Sequence, residues 1–147
     1  MTDCLVACRV IAADNSCLFN AVAYLMEGSL TMSGDLRQLI ASVVMSDPET
    51  YSEATLSKPC DEYCKWIMDP SSWGGAIEIS ILSAYYQTEI AAIDCQTVCV
   101  YRFGKHCTTL QSSTVNQHPL GHLLRCRNHL TRPLSLGPCR IITLDVY

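Results

Sequence analysis

The feature that most constrains this chain is a cysteine placed where an extended run gives way to a helix. Residues 6–11 are rich in β-branched side chains and favour a strand, whereas residues 17–28 carry apolar side chains at helical spacing. Asp14, Asn15 and Ser16 are all good N-cap residues, so we expect the helix to begin at Cys17. The sequence therefore predicts a thiol in the first turn of a helix.

A thiol in that position is suited to nucleophilic catalysis. The unpaired N–H groups and the dipole of a helix N-terminus favour an anion, and they lower a cysteine pKa from about 8.5 by a unit or more. The same N–H groups can hold the oxyanion of a tetrahedral intermediate. From the residues alone, Cys17 is either a nucleophile or a small buried apolar residue. Asp14 either caps the helix or orients a histidine from elsewhere.

A second unusual stretch is Trp73-Gly74-Gly75, which precedes another helical pattern that begins at Ala76. Consecutive glycines after a tryptophan permit a close backbone approach, as a substrate channel requires. The alternative is an ordinary glycine turn beside a buried tryptophan. Glu78 lies near the start of the following helix, where its charge suits the helix dipole.

The composition fits one soluble domain with a real core in a reducing compartment. The 147 residues are 49% hydrophobic and 16% charged. No apolar run approaches the ~20 residues of a membrane span, and Asp3 and Arg9 interrupt any signal peptide. The ten cysteines include no Cys-x-x-Cys pair, which points to free thiols. We therefore expect a cytoplasmic protein that does not insert into membranes.

The charge pattern divides the chain in two. Residues 1–103 hold 13 acidic and 5 basic side chains, whereas residues 104–147 hold 1 acidic and 5 basic side chains and all four histidines. This change predicts a main domain over 1–103 and a divergent basic tail over 104–147, part of it without fixed structure.

Periodicity and turn signals predict alternating helices and strands, hence a mixed α/β or α+β domain. Residues 105–139 give no clear signal for regular structure. The predicted strands are 5–11, 89–94, 98–103 and 140–146, with a tight connection over 95–97; the predicted helices are 17–28, 36–44, 48–56, 61–68 and one from 76 onward, with a loop over 70–75.

Two binding functions of the tail are disfavoured. His118, His122, Cys126 and His129 have a helical spacing suited to zinc, but Pro119 interrupts that helix and no carboxylate is close by in sequence. Three arginines at 125, 127 and 132 lack interleaved aromatic residues, which is more typical of a solvated surface than of a nucleic-acid site. We therefore expect no metal, no other cofactor and no nucleic-acid partner.

The two motifs together carry a family resemblance. Asp14-Asn15-Ser16-Cys17-Leu18-Phe19, followed by the stretch from Trp73 to Leu82, resembles the OTU (ovarian-tumour) family of cysteine deubiquitinases. Residues 51–54, 62–67 and 89–97 resemble the subgroup linked to protein extraction and degradation from the endoplasmic reticulum. The resemblance covers about residues 5–103. It implies an OTU-like, papain-type cysteine protease fold with a small sheet flanked by helices.

The resemblance also implies roles for particular residues. Cys17 resembles the family nucleophile, Asp14 resembles the acidic member of its catalytic group, and the N–H groups of 14–17 would form the oxyanion hole. Trp73, Gly74 and Gly75 would flank the channel for the ubiquitin tail. The implied reaction is hydrolysis of the isopeptide bond after the ubiquitin C-terminal Gly-Gly. Ubiquitin or polyubiquitin chains are the implied partners, together with protein-extraction machinery.

The tail departs from the family pattern. The subgroup carries its catalytic histidine in a late strand with the motif Tyr-Asp-Gly-x-His-Tyr-Asp, and this motif is missing after Gly104. The final histidine-bearing strand is therefore expected to be replaced, with His118 and His122 as the candidates to substitute. We expect a deubiquitinase of impaired activity; the alternative is a catalytically inactive ubiquitin-binding scaffold or a truncated isoform.

Overall fold

The computed structural model describes residues 6–9, 11–12, 14–94, 100–104, 124–125, 130–133 and 139–146. Its helices are α1 Cys17–Glu27, α2 Ser33–Ser46, α3 Glu53–Leu56, α4 Cys60–Met68 and α5 Ala76–Tyr86. Its strands are β1 Val6–Arg9, β2 Glu89–Asp94, β3 Val100–Phe103, β4 Leu124–Arg125, β5 Leu130–Pro133 and β6 Cys139–Val146. Helices and sheet strands both occur in the described part of the chain, and the sheet is mostly antiparallel, so the fold is α+β.

One sheet joins strands from both ends of the chain. The strand order is β1-β5-β6-β2-β3, and β4 pairs with β6 outside this path. β6 runs parallel to β2, with Ile142 opposite Ala92, and antiparallel to β5, with Ile142 opposite Leu130. Strands β4–β6 belong to the predicted basic tail, yet β5 and β6 lie between β1 and β2. The division into 1–103 and 104–147 stays a prediction.

Helix α1 is the most deeply buried helix that the structure describes. Eight of its residues are buried, because apolar side chains cover nearly its whole circumference. Around it lie the apolar faces of α2, α4 and α5 and the strand β2, which contribute Ile40, Ile67, Leu82 and Ile90 to one core. Gly28 ends α1 with φ 72°, a left-handed conformation that favours glycine, and its N–H donates to Tyr24 O at 3.0 Å. At the other end of the helix, Cys17, Leu18 and Phe19 are buried, so the start of α1 is held by the core.

Most predicted elements agree with the structure, but the predicted helix over 48–56 is wrong. Residues 47–51 form a turn in which Asp47 accepts hydrogen bonds from the N–H groups of Thr50 and Tyr51, and Ser52 is extended with ψ 165°. The local bonds of Asp47 compete with helix formation, so only Glu53–Leu56 is helical. β4 and β5 were missed because they are two and four residues long and depend on partners that are distant in sequence.

Several predictions fall outside the described residues. These are the connection over 95–97, all four histidines and Cys126. Within the described part of the chain, every helix is too short or too polar to cross a membrane.

Candidate active site

The turn before α1 is built by Asp14. Its N–H donates to Ala12 O at 2.9 Å, its Oδ1 accepts the Ser16 N–H at 2.9 Å, and its carbonyl accepts the Cys17 N–H at 3.3 Å. This compact turn converts the extended chain into a helix whose first residue is Cys17, as predicted. Only 5% of Cys17 is exposed, so the thiol lies at the edge of the core and not on an open surface.

The Asp14 carboxylate holds the turn and does not bond to the N–H groups of the first turn of α1. It accepts from the N–H of Ser16, which is the N-cap residue, and accepts a long hydrogen bond of 3.5 Å from Nδ2 of Asn20. The helix α1 has no side-chain cap hydrogen bond. The role of Asp14 toward a histidine stays a prediction, because no histidine lies in the described residues. The N–H groups of Asp14, Ser16 and Cys17 all have acceptors inside the turn. An oxyanion that used these three N–H groups would share them with the acceptors of the turn, whereas the structure gives no such acceptor for the Asn15 N–H among the described residues.

The structure packs the second motif against the first. Nε1 of Trp73 donates to Oδ1 of Asn15 at 2.6 Å, and Trp73 remains partly exposed. A Cβ on Gly74 would lie 2.4 Å from Cδ2 of Leu18 and 2.9 Å from Cζ of Phe19. The backbone at Gly74 thus approaches the first turn of α1 more closely than any residue with a side chain allows. This agrees with the close approach that the glycines predicted.

A buried carboxylate shapes the same loop. Glu78 is 3% exposed; its Oε2 accepts the Gly75 N–H at 2.7 Å, and its Oε1 accepts a short hydrogen bond from the Tyr63 hydroxyl. Burial raises the pKa of Tyr63, and the nearby Glu78 charge raises it further, so the hydroxyl remains a donor. The sequence placed Glu78 at the helix start but did not show that it bonds to Tyr63 and Gly75.

Arg37 is the residue of this region that the sequence analysis missed. It is 2% exposed, and its guanidinium lies 4.2 Å from the ring centroid of Phe19 while donating to backbone oxygens on both sides of the site. Burial lowers the pKa of Arg37, and the charges of Asp69, Asp14 and Glu78 oppose that effect. A signal was available: Arg37 lies three and seven residues before Ile40 and Val44, on the apolar face of α2.

The sequence profile of the OTU-like cysteine protease family matches residues 12–123. This chain belongs to that family. The match includes both motifs, the turn that carries Cys17 and the Trp73–Gly75 loop. These are the two segments that contact each other in the structure.

Relatives within the family are similar over part of their length. Ubiquitin thioesterase OTU1 of Danio rerio is 55% identical over 100 residues, which are 66% of this chain and 33% of the relative. OVARIAN TUMOR DOMAIN-containing deubiquitinating enzyme 2 of Arabidopsis thaliana is 56% identical over 89 residues, 60% of this chain and 43% of the relative. The matched part of the chain thus spans less than half the length of either of these OTU relatives.

Solved structures show the same fold. An OTU domain in complex with ubiquitin aligns with a TM-score of 0.65 and 35% identity, covering 69% of this chain and 58% of that chain. The OTU domain of OTUD1 aligns with a TM-score of 0.63 over 97% of this chain and 85% of that chain, and its 12% identity supports the fold alone. The predicted OTU-like fold is therefore confirmed.

Within the described part of the OTU domain, no three His, Cys, Asp or Glu side chains lie close enough to hold a metal ion. The four tail residues considered for zinc lie elsewhere in the chain. The roles of Cys17, Asp14, Trp73, Gly74 and Gly75 in catalysis and binding stay predictions.

Proposed function

We propose that this chain is a thiol-dependent deubiquitinase of impaired activity, which cleaves the isopeptide bond after the ubiquitin C-terminal Gly-Gly. The observation that carries the proposal is the contact between the two motifs: Cys17 begins α1, and Trp73 is hydrogen-bonded to Asn15 two residues before it. Support comes from the relatives, which are named ubiquitin thioesterase and deubiquitinating enzyme. A solved OTU domain was obtained in complex with ubiquitin.

The reaction assigns a task to each part of the site. The Cys17 thiolate attacks the carbonyl carbon of the ubiquitin terminal glycine, and the carbonyl oxygen becomes an oxyanion beside the start of α1. The C–N bond breaks when the lysine amine receives a proton, which leaves a thioester on Cys17. Water then releases ubiquitin and restores the thiol. Asp14 holds the turn that carries Cys17, while Trp73, Gly74 and Gly75 flank the ubiquitin tail.

Impaired activity follows from the proton transfers. The departing amine needs a general acid, and the water needs a general base, each worth about 10²–10⁴ in rate. The family's histidine motif is missing from the sequence after Gly104, and His118 and His122 are the candidates to perform both tasks in its place. A thiol-reactive ubiquitin probe releases no lysine amine and needs no activated water, so we expect labelling of Cys17 by such a probe to be less affected than turnover of diubiquitin.

A second candidate is a ubiquitin-binding scaffold without activity, and the missing histidine motif is the observation that favours it. The two functions differ in one experiment. Diubiquitin is incubated with the wild type, with Cys17→Ala, and with Cys60→Ala as a matched control at a distant cysteine. We expect slow cleavage by the wild type and by Cys60→Ala, and none by Cys17→Ala. Cleavage that persists in Cys17→Ala would refute the proposal.

The source of the proton donor is tested with His118→Ala, His122→Ala and the double variant. Loss of cleavage in one single variant identifies the histidine that acts. Cleavage that survives in the double variant excludes both. If none of the proteins cleaves diubiquitin but Cys17→Ala binds ubiquitin in a calorimetric titration, the scaffold function is the correct one.

We also propose that the protein acts in the cytoplasm on polyubiquitin chains, together with protein-extraction machinery. The ten cysteines support a reducing compartment, and the resemblance to the subgroup linked to the endoplasmic reticulum supports this machinery as a partner. Fractionation of cells that express the tagged chain tests the compartment. Recovery mainly in a secretory or organellar fraction would contradict it.

A further inference from the structure

Arg37 is a buried cation without a contacting carboxylate among the described residues. Only 2% of it is exposed, and the one ion pair within 4.0 Å in that part of the structure joins Arg102 and Glu89. Taking a guanidinium out of water carries a large desolvation penalty, so a buried arginine requires compensating hydrogen bonds. At Arg37 the acceptors are four backbone carbonyl oxygens and one serine hydroxyl.

The acceptors of Arg37 come from two sides of the candidate site. Nη1 donates to the carbonyl at the end of α4, while Nη2 is shared by acceptors of the turn before Cys17 and of the loop before Trp73. Nη2 carries two hydrogens and has four acceptors, so its hydrogen bonds are shared between acceptors. It therefore holds the turn before Cys17 and the loop before Trp73 close together. The distances are 3.0 Å to Ile67 O, 2.7 Å to Ser72 O, 3.1 Å to Ser16 Oγ, 3.2 Å to Asn15 O and 3.3 Å to Pro70 O.

The two segments that Arg37 joins also bond to each other at the surface. Asn15 accepts from Arg37 with its backbone oxygen and from the Trp73 indole with its side chain. Ser72, which makes the shortest bond to Arg37, directly precedes Trp73. The position of Trp73 beside the turn before α1 therefore depends on hydrogen bonds that meet at the Arg37 guanidinium. We call this set of hydrogen bonds the clamp.

We propose that Arg37 is a positioning residue, which sets the Trp73–Gly75 loop against the turn that carries Cys17. The inference rests on the proposed function, since it assigns the clamp a purpose: to keep the path of a ubiquitin tail aligned with the thiol. Lysine cannot replace it, because an ammonium is a point charge and lacks the planar fork that reaches both sides at once.

The test compares Arg37→Lys with Ser16→Ala, which removes one acceptor of the guanidinium, and uses Arg102→Lys as a matched control on the half-exposed arginine of β3. Circular dichroism first establishes that each variant folds. NMR then measures hydrogen exchange of the Trp73 indole proton, which is assigned with Trp73→Phe. Labelling rates of Cys17 are measured with two reagents: ubiquitin carrying a thiol-reactive C-terminus, which must pass the loop, and iodoacetamide, which need not.

We expect Arg37→Lys to speed indole exchange and to slow ubiquitin labelling about tenfold each, the equivalent of one lost hydrogen bond. Iodoacetamide labelling should change much less, because this small reagent need not pass the Trp73–Gly75 loop to reach the thiol. Arg102→Lys should match the wild type throughout. Unchanged indole exchange and unchanged ubiquitin labelling would overturn the inference. An equal loss with both reagents would also overturn it, since the effect would then concern the thiol or the fold alone.

Two further outcomes are informative. If Arg37→Lys does not fold, Ser16→Ala decides: it removes the hydroxyl acceptor of Nη2, and indole exchange and ubiquitin labelling that both equal the wild type would refute the role. If the wild type is not labelled by ubiquitin, the proposed function fails. The clamp is then judged by indole exchange alone, which supports it if faster in Arg37→Lys and refutes it if unchanged.

Discussion

At the scale of single residues, Gly74 leaves the least space for a side chain among the glycines that the structure describes. The Cβ of any other residue would collide with Leu18 and Phe19, which are 1% and 0% exposed and have no open space to move into. We predict that Gly74→Ala lowers the free energy of unfolding by about 1–3 kcal/mol, as overpacking of a core does. Urea denaturation measures the change.

Gly34 is the matched control for that substitution. It lies in α2, and the position that a Cβ would occupy there has no heavy atom within 4 Å. Gly34→Ala should be neutral or stabilise the protein by up to about 1 kcal/mol, because alanine loses less backbone entropy in a helix. Equal stabilities of the two alanine variants would contradict the tight contact at Gly74.

The thiol of Cys64 should make stability depend on pH. Burial raises its pKa to about 11, and the neighbouring Cys60 thiol contributes to the shift. Between the ordinary value of 9.0 and about 11, the unfolded chain loses this proton while the folded chain retains it. The contribution of the neutral thiol is therefore complete below pH 9.0 and is lost as the pH rises toward 11.

We predict that the free energy of unfolding of the wild type falls faster than that of Cys64→Ala over this interval. The difference in slope should stay well below about 1.4 kcal/mol per pH unit, because solvent screens this partly exposed thiol. Denaturation at a series of pH values under reducing conditions measures both. A stability difference between the two proteins that stays constant from pH 9.0 to 11 would show that Cys64 titrates normally.

At the scale of elements, β6 is an interior strand of the sheet. Ile142 has a backbone partner on each side, Ala92 in β2 and Leu130 in β5. Proline at this position removes an N–H of the ladder and leaves a backbone oxygen without its donor, so Ile142→Pro should lower the free energy of unfolding by about 1–3 kcal/mol. Val100→Pro is the control, because Val100 begins the end strand β3, where proline is tolerated. Equal urea midpoints for the two variants would contradict the strand order.

The elements differ in how far the sequence could predict them. Helices α1, α2 and α5 follow from apolar periodicity and from helix-start signals such as Ser16 and Asp35, because these signals are local. The error at 48–56 shows a local signal with two outcomes: Asp47 can cap a helix or close a turn, and here it closes a turn. The short strands β4 and β5 carry little local signal, since their pairing with β6 and β1 is made across the fold.

The same distinction applies to the candidate site. Cys17, Asp14 and the Trp73–Gly75 loop were found from the sequence, because helix start signals, glycine and the family motifs are visible in the residues themselves. The bonds that join them were not. Tyr63 to Glu78 spans 15 residues and Trp73 to Asn15 spans 58, so neither bond has a sequence pattern that predicts it.

At the scale of the whole molecule, the sheet and the α1 region depend on both parts of the chain. The sheet takes β1 from before Cys17, β2 and β3 from after α5, and β4–β6 from the basic tail. The motifs that resemble the OTU family lie within the first 103 residues, whereas the sheet order requires strands beyond them. We therefore expect the fold to require strands β4–β6 of the tail, and assays belong on the whole chain.

The most direct test of the proposed function is the site at which ubiquitin attaches. The whole chain is treated with ubiquitin carrying a thiol-reactive C-terminus, and intact mass and peptide mapping locate the bond among the ten cysteines. We predict one ubiquitin per chain, bound to Cys17, with labelling lost in Cys17→Ala and kept in Cys60→Ala and Cys64→Ala. Labelling that persists in Cys17→Ala, or that spreads over several cysteines, would contradict the assignment of Cys17 as the nucleophile.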